Sequence, residues 1–378
     1  MKIALIGPTY PFRGGISHYT TLLYRHLKNR HRVAFFSFTR QYPKLLFPGK
    51  TDIDPSLSTI QEPGVQRVLD SMNPVTWLSV AFKIIKSGQD ILIIPWWVSF
   101  WAPQFFTISL LVKMFSTTKV LFLCHNVVEH ESQFVDKILT RIVLRNGDGF
   151  IVHSEEDKNN LLAMFPRAKV QKTFHPTYEV FDLGNSNANH VRKRLGIDGN
   201  MVLFFGFIRP YKGLKYLILA LPEVLSQVKV TVLIVGEFWK DKDEYLHMIK
   251  GLGLENNIVI VDQYVPNEEV QDFFSAADLV VQPYVSATGS GIVQTAFAFN
   301  KPVVATEVGS LPEIIEDGKT GYLVPAEETK ELARAIVTFF VERKSEEFSK
   351  NIEKVKYRFS WDRMVDCIEQ LSIDLRNC

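Results

Sequence analysis

Val230-Thr231-Val232-Leu233-Ile234-Val235 runs unbroken in apolar and β-branched residues and stops at Gly236-Glu237. A strand with one face in water would alternate polar and apolar residues. A run without alternation suits a strand covered by helices on both faces. Similar runs lie on either side: Met201–Phe207 before it, and Ile258–Tyr264, Leu279–Tyr284, Pro302–Thr306 and Gly321–Val324 after it. Farther upstream come Lys2–Gly7, Arg32–Phe38, Ile91–Ile94, Lys119–Asn126, Gly149–Ser154 and Val170–Phe174. Amphipathic helical stretches separate them, which implies parallel sheets joined by right-handed crossovers. Between the two sets, Asp182–Asn189 is polar, has no periodicity and reads as a linker. The expected fold class is α/β with two doubly wound parallel-sheet domains, at 1–185 and 190–357. A last helical stretch within 358–378 is expected to pack back on the first domain.

A chain of 378 residues suits two domains, and 46% apolar with 22% charged residues suits a globular chain with a sizeable core. The net charge of +2 is too balanced for a protein that lives on nucleic-acid phosphates. Cys124, Cys367 and Cys378 have no pairing or metal-ligand spacing, which points to a reducing, cytoplasmic compartment. The N-terminal run Met1–Gly7 is too short for a signal peptide. The uncharged stretch Ile91–Val112 is long enough to span a membrane, but Pro95, Pro103 and Gln104 argue for a buried strand, a Trp-rich loop and a buried helix. Residues 1–185 carry 21 Lys/Arg against 14 Asp/Glu, a balance of +7, and the remainder 22 against 27, or −5. A basic first domain suits an anionic acceptor or peripheral contact with a membrane surface, and equally suits attraction between the domains. The segment Val75–Lys86, with Trp77, Phe82, Lys83 and Lys86, could lie at such an interface or pack on its own sheet.

In open α/β sheets ligands bind beyond the carboxyl ends of the strands. Four turns there carry chemistry. After the first strand, Gly14-Gly15 opens a helix, and adjacent glycines let backbone amides approach a ligand at its positive end. After Phe204-Phe205-Gly206-Phe207 the chain presents Arg209 and Lys212, two cations suited to a diphosphate. The third turn, Ser286-Ala287-Thr288-Gly289-Ser290-Gly291-Ile292, leads into a helix whose free amides make an anion site. A dinucleotide fingerprint fails here, because Gln294 stands where the third glycine would be. The fourth is a strand ending in Cys124-His125-Asn126, where an imidazole could donate to a ligand oxygen or carry a proton. Metal binding by His125, Glu129 and His130 has no matching ligand cluster elsewhere, so no metal is expected. The pairs Asp52-x-Asp54 and Asp241-x-Asp243 read as surface.

These turns, in this order, resemble the retaining nucleotide-sugar glycosyltransferases of the GT-B fold, specifically glycosyltransferase family 4. The likeness includes Pro95-Trp96-Trp97, His153-Ser154, Gly236-Glu237, Tyr264-Val265-Pro266, Ala276-Ala277-Asp278-Leu279, Lys301-Pro302 and Gly309-Ser310-Leu311-Pro312-Glu313. It implies two Rossmann-like domains facing each other across a cleft, with donor on the C-terminal and acceptor on the N-terminal domain. By that likeness Arg209 and Lys212 hold the diphosphate and stabilise the leaving group in place of a metal, with amides from Gly289, Ser290, Gly291 and Ile292 assisting. Gly206, Gly236 and Val265 would meet the nucleoside, Gly14 and Gly15 the donor phosphate or sugar, and His125 the transferred sugar. Family members carry two glutamates around the third turn, whereas this chain has Ala287 and Thr295. The ribose contact would then fall to Thr295, Gln294 or backbone groups, and the sugar contact to Ser286 or Thr288.

The implied activity is sugar transfer from a nucleotide diphosphate-sugar to a sugar or lipid-linked acceptor, with retention, no metal and no further cofactor, in cell-surface polysaccharide or glycoconjugate synthesis. A nucleotide-sugar epimerase and a non-catalytic nucleotide-sugar-binding scaffold remain as alternatives.

Overall fold

The computed structural model describes residues 1–43, 51–57, 60–127, 134–184 and 186–376. Glu129, His130, Asn185 and Cys378, which entered the sequence reading, lie outside the described residues.

The chain divides into two compact units. The first comprises Met1–Pro55, Thr59–His175 and Trp361–Cys378, and the second Ser56–Ser58 and Pro176–Ser360. The division therefore falls at Pro176, ahead of the polar stretch taken from sequence as a linker. That stretch belongs to the second unit, where the Leu183 N–H donates to Gln271 Oε1 (3.1 Å) and the Asn187 N–H to Asp272 Oδ1 (2.9 Å). A polar segment without periodicity can be fixed by side-chain acceptors as well as left as a tether.

The first unit holds a seven-stranded parallel sheet in the order β3-β2-β1-β4-β5-β6-β7. Its strands are β1 (Lys2–Ile6), β2 (Arg32–Arg40), β3 (Gln66–Asp70), β4 (Ile91–Trp96), β5 (Lys119–Cys124), β6 (Gly149–Val152) and β7 (Val170–Lys172). β3 is absent from the sequence reading. It is an edge strand with only Leu69 buried, and its register against β2 shifts at Ser37/Phe38, so no apolar run announces it. The Ile91–Val112 stretch becomes β4, a turn of 3₁₀ helix at Ser99–Trp101, and the helix Ala102–Phe115 with Pro103 in its first turn. Among the described residues no helix is long and apolar enough to cross a membrane. The helix Trp361–Arg376 buries Trp361, Met364, Val365, Ile368, Leu371 and Leu375, the spacing of one helical face, against β5, β6 and the helix Gly15–Leu27.

The second unit holds a six-stranded parallel sheet, β10-β9-β8-β11-β12-β13. The strands are β8 (Asn200–Phe205), β9 (Val230–Val235), β10 (Ile258–Val261), β11 (Leu279–Gln282), β12 (Val303–Thr306) and β13 (Gly321–Val324). The Val230–Val235 run is buried at all but Thr231, as its composition requires. In both sheets the winding reverses between two neighbours, β1 and β4 in the first and β8 and β11 in the second. Such reversals open a crevice at the carboxyl ends of the two strands. The turn after β8 and the turn after β11 therefore meet.

Candidate active site

Two glycines let the backbone close in around that crevice. Gly213 has φ 73°, and a Cβ there would sit 1.7 Å from the Pro283 carbonyl oxygen, so only glycine lets the β8 turn press on the β11 turn. Gly236 follows β9 with φ 153°, and its Cβ would lie 1.9 Å from the Gly206 carbonyl oxygen. The Val285 N–H donates to Tyr211 O (2.8 Å), a second tie between the two turns.

Lys212 ends a short 3₁₀ turn, Pro210–Lys212, and its Nζ donates to the Tyr284 hydroxyl (2.8 Å). The Tyr284 hydroxyl meets Ser290 Oγ at 2.9 Å, and Ser290 Oγ caps the helix Gly291–Ala298 by accepting from the Val293 N–H (3.3 Å). An ammonium is thus two hydrogen bonds from a helix start. The next amides, of Gly291 and Ile292, have no hydrogen-bond partner among the described residues, as the first turn of a helix leaves them. Ile292 Cδ1 lies 3.4 Å from where a Cβ of Gly206 would stand, which places the β8 turn directly against that helix start.

Burial pushes the Lys212 pKa down, and the Arg209 guanidinium pushes it the same way while Tyr211 opposes them. The Arg209 guanidinium carbon lies 4.9 Å from the Tyr211 ring centre and 5.2 Å from that of Trp239; Lys212 Nζ lies 4.2 Å from the Tyr284 ring. Phe207 and Tyr264 extend this aromatic wall, with Phe207 4.8 Å from Trp239 and 6.0 Å from Tyr264. Cations held on aromatic faces stay close to one another with little water between them, a setting that favours an incoming polyanion.

The third-turn loop is braced from behind. Ser310 N–H donates to Thr288 O (3.0 Å), and a Cβ on Gly289 would meet Ser310 Oγ at 3.2 Å. Ser286 and Thr288 are half-buried and Gly289 is exposed. Ala287, at one of the glutamate positions, is buried. Thr295, at the other, spends its hydroxyl proton on Gly291 O (2.9 Å) within its own helix, leaving only its lone pairs for a ligand. Gln294 is fully buried with neither amide atom partnered among the described residues. Val265 is buried in its own unit and offers a nucleoside little surface.

In the first unit Gly14 has φ 109° and precedes the helix Gly15–Leu27, with nothing within 4 Å of where its Cβ would be. Its loop is fixed by the Arg13 N–H donating to Asp52 O (2.9 Å) and the Asp54 N–H to Pro11 O (2.8 Å). Asp54 is therefore not surface: it is buried, 3.6 Å from His18 Nε2. His125 follows β5, and the turn after it is held by Asp157, which accepts from the Val127 N–H (2.8 Å) while accepting from Ser154 Oγ (3.0 Å). The His125 ring sits 4.5 Å from Tyr19, 5.4 Å from His153 and 6.1 Å from His175. His153 Nδ1 meets Thr173 O (2.9 Å). Burial takes His153 down to about 4, despite that backbone contact, and burial with the neighbouring imidazoles takes His125 well below the ordinary histidine value. Among the described residues no group of three His, Cys, Asp or Glu could hold a metal ion.

Residues 199–341 match the family model of glycosyl transferases group 1. The second unit is a glycosyl transferases group 1 domain. D-inositol 3-phosphate glycosyltransferase of Corynebacterium glutamicum is 30% identical over 195 residues, which cover 49% of this chain and 44% of that protein. Its namesake in Mycobacteroides abscessus is 28% identical over 232 residues, 60% of this chain and 52% of that protein. The chain spans about half the length of the curated relatives it matches. Among solved structures, Anabaena HepE in complex with UDP matches all of both chains with a TM-score of 0.73 at 19% identity. A glycosyltransferase from Rickettsia africae matches 99% of this chain and 98% of its own with a TM-score of 0.74 at 18% identity. At these identities the likeness speaks for the fold, which is that of the GT-B glycosyltransferases.

Within the group 1 domain the structure brings together Gly206, Arg209, Lys212, Ser290, Gly291 and Ile292. The sequence reading missed Tyr284, which links Lys212 to the helix cap, and Tyr211 and Trp239, on which Arg209 rests. The only sequence signal for Tyr284 is its place directly after β11 and Pro283, at a strand's carboxyl end.

Proposed function

We propose that the protein is a glycosyltransferase that moves a sugar from a nucleotide diphosphate-sugar to a sugar or lipid-linked acceptor. The observation that carries this is the chain from Lys212 through Tyr284 to Ser290, ending beside the free amides of Gly291 and Ile292. When the bond between the sugar's anomeric carbon and the diphosphate oxygen breaks, charge grows on that oxygen. Two cations and two amide dipoles fixed in place stabilise that charge without reorganising. Ser290 accepts from Val293 and contacts Tyr284, so its own proton remains available to a phosphate oxygen. The names of the relatives, and UDP bound to HepE, support a nucleotide-sugar donor.

Transfer proceeds with retention in this reading. The anomeric carbon–oxygen bond to the acceptor forms on the face from which the diphosphate departs, and the acceptor's hydroxyl proton passes to the departing phosphate. No metal takes part, since Arg209 and Lys212 supply the positive charge. His125 and the half-buried Ser286 and Thr288 offer neutral hydrogen-bonding groups to sugar hydroxyls. Synthesis of cell-surface polysaccharide or glycoconjugate at the cytoplasmic side of a membrane is the corresponding role.

Release of nucleoside diphosphate from a panel of nucleotide-sugars, with NMR of the product's anomeric coupling, tests the reading. Retained configuration with full activity in chelator supports it. Inverted product, or turnover abolished by chelator, overturns the mechanism, and no release from any donor overturns the function.

A further inference from the structure

We propose that the outer face of three helices in the first unit, Pro74–Ser87, Ala102–Phe115 and Phe134–Leu144, docks the protein on an anionic lipid membrane. The helices follow β3, β4 and β5 as successive crossovers, and each packs on the next. Their inner sides supply Val80, Ile84, Phe105, Ile108 and Val143 to the core. Their outer sides are not polar, as a solvated helix face would be.

Phe82 is 58% exposed, Met114 63%, Phe115 59%, and Leu78, Ile138 and Ile142 each more than 40%. Large apolar side chains scattered singly are ordinary, and the second unit has that pattern, with Leu219, Leu246, Leu252 and Val341 on separate elements. A set carried by three adjoining helices marks a surface built to be covered.

The charges on the face select what covers it. Along the three helices the charged residues are Lys83, Lys86, Lys113, Asp136, Lys137 and Arg141. The sole anion, Asp136, accepts from Ser99 Oγ (2.6 Å), and Lys113 is paired with Asp148 (2.9 Å). Lys83, Lys86, Lys137 and Arg141 have no ion-pair partner among the described residues and are exposed. Exposed aromatic and aliphatic side chains ringed by unpaired cations match a negatively charged bilayer surface. The apolar tips enter the interfacial layer while the long cationic stems reach its phosphates. The helix of the next crossover, Glu155–Met164, opens with Glu155-Glu156-Asp157 and exposes no large apolar side chain, so the surface ends there.

Flotation of the full chain with lipid vesicles tests this independently of any transfer activity. At low salt it should float with vesicles of mixed phosphatidylcholine and phosphatidylglycerol, and not with phosphatidylcholine alone. The combined change Lys83→Glu, Lys137→Glu and Arg141→Glu should weaken binding about a hundredfold, at roughly a tenfold or slightly less per cation. Phe82→Ser with Met114→Ser and Ile138→Ser should weaken it at least about tenfold. Melting curves of the variants report whether they fold; each changes only exposed positions, so near-native melting is expected. Absence of flotation with anionic vesicles overturns the proposal, as does equal binding by folded variants. A dimer in light scattering that the serine changes dissociate, without vesicle binding, also overturns it and assigns the face to a second copy of the chain.

Discussion

At the carboxyl end of the second sheet the polar groups are cations held on aromatic rings; at the carboxyl end of the first they are imidazoles driven neutral. Arg209 and Lys212 sit against Tyr211, Trp239 and Tyr284, with the helix cap Ser290 within reach of the same hydroxyl. His125, His153 and His175 crowd round Tyr19, with burial and mutual repulsion taking His125 and His153 below the usual range. The same topological position thus serves opposite electrostatics. One end is set to receive a polyanion, whereas the other offers donors and acceptors that carry no charge. Glycosyl transfer needs both kinds of group, because the leaving group gains charge while the sugar hydroxyls stay neutral.

The largest expected effect removes the cationic side of this contrast. Lys212→Ala should slow transfer by about a hundredfold or more, the scale of losing a preorganised donor to a developing oxyanion. Turnover within a few-fold of wild type would assign the leaving-group role elsewhere. Lys212→Ala should melt no lower than wild type, because burial beside Arg209 already disfavours the ammonium in the folded chain. A rate loss with unchanged stability separates function from packing.

The neutral side is broken by acid. The folded pKa of His153 is about 4, below its unfolded value, so the unfolded chain takes up the proton first. The stability this contributes is whole above about pH 6.5, falls as pH drops and is gone below about 4; integrated, it is about 3 kcal/mol. Denaturant melts between pH 7.5 and 4.5 should show this slope in wild type and a shallower one in His153→Gln. Matching slopes would mean that the cluster is already protonated or already wet.

How much of this could be read from the chain follows from what each feature depends on. The strands of the second sheet are legible because a strand covered on both faces must be apolar throughout, as Val230–Val235 is. β3 is not, because an edge strand with one buried residue needs no such run. The turns bearing Gly206, Arg209, Lys212 and Gly289–Gly291 are legible because glycines and paired cations after a strand are local signals. The aromatic wall is not, since Trp239 and Tyr284 reach Arg209 and Lys212 only through strand order. Nor does sequence reveal that the Thr295 hydroxyl folds back on its own helix or that Asp54 faces inward to His18. The Asp182–Asn189 stretch misleads for a related reason: composition shows that it lacks periodicity, not that Gln271 and Asp272 hold it.

A smaller change sharpens the cationic side without removing charge. Tyr284→Phe deletes the acceptor that fixes the Lys212 ammonium and the contact with Ser290. Losing a hydrogen bond to a charged group gives an expected rate loss of about tenfold, with Lys212 still present. The effect should appear in kcat more than in KM if the tether positions the ammonium for the leaving oxygen. An equal loss in Lys212→Ala and in the double variant, with no further effect of Tyr284→Phe, would show that the two act as one unit.

The smallest expected effect lies at Ser290, which belongs to the helix as much as to the site. Its hydroxyl caps Gly291–Ala298, and Ser290→Ala should cost about 1 kcal/mol of stability. Ser290→Gly should cost only a few tenths, because glycine tolerates the cap backbone while lacking the side chain. Neither residue can give a phosphate oxygen the proton that Ser290 offers. If that proton matters for the donor, both variants lose the same factor in nucleotide affinity, measured by calorimetry, while their melting points differ. If instead affinity tracks melting point across the pair, the hydroxyl serves the helix alone, and the phosphate contact rests on the Gly291 and Ile292 amides.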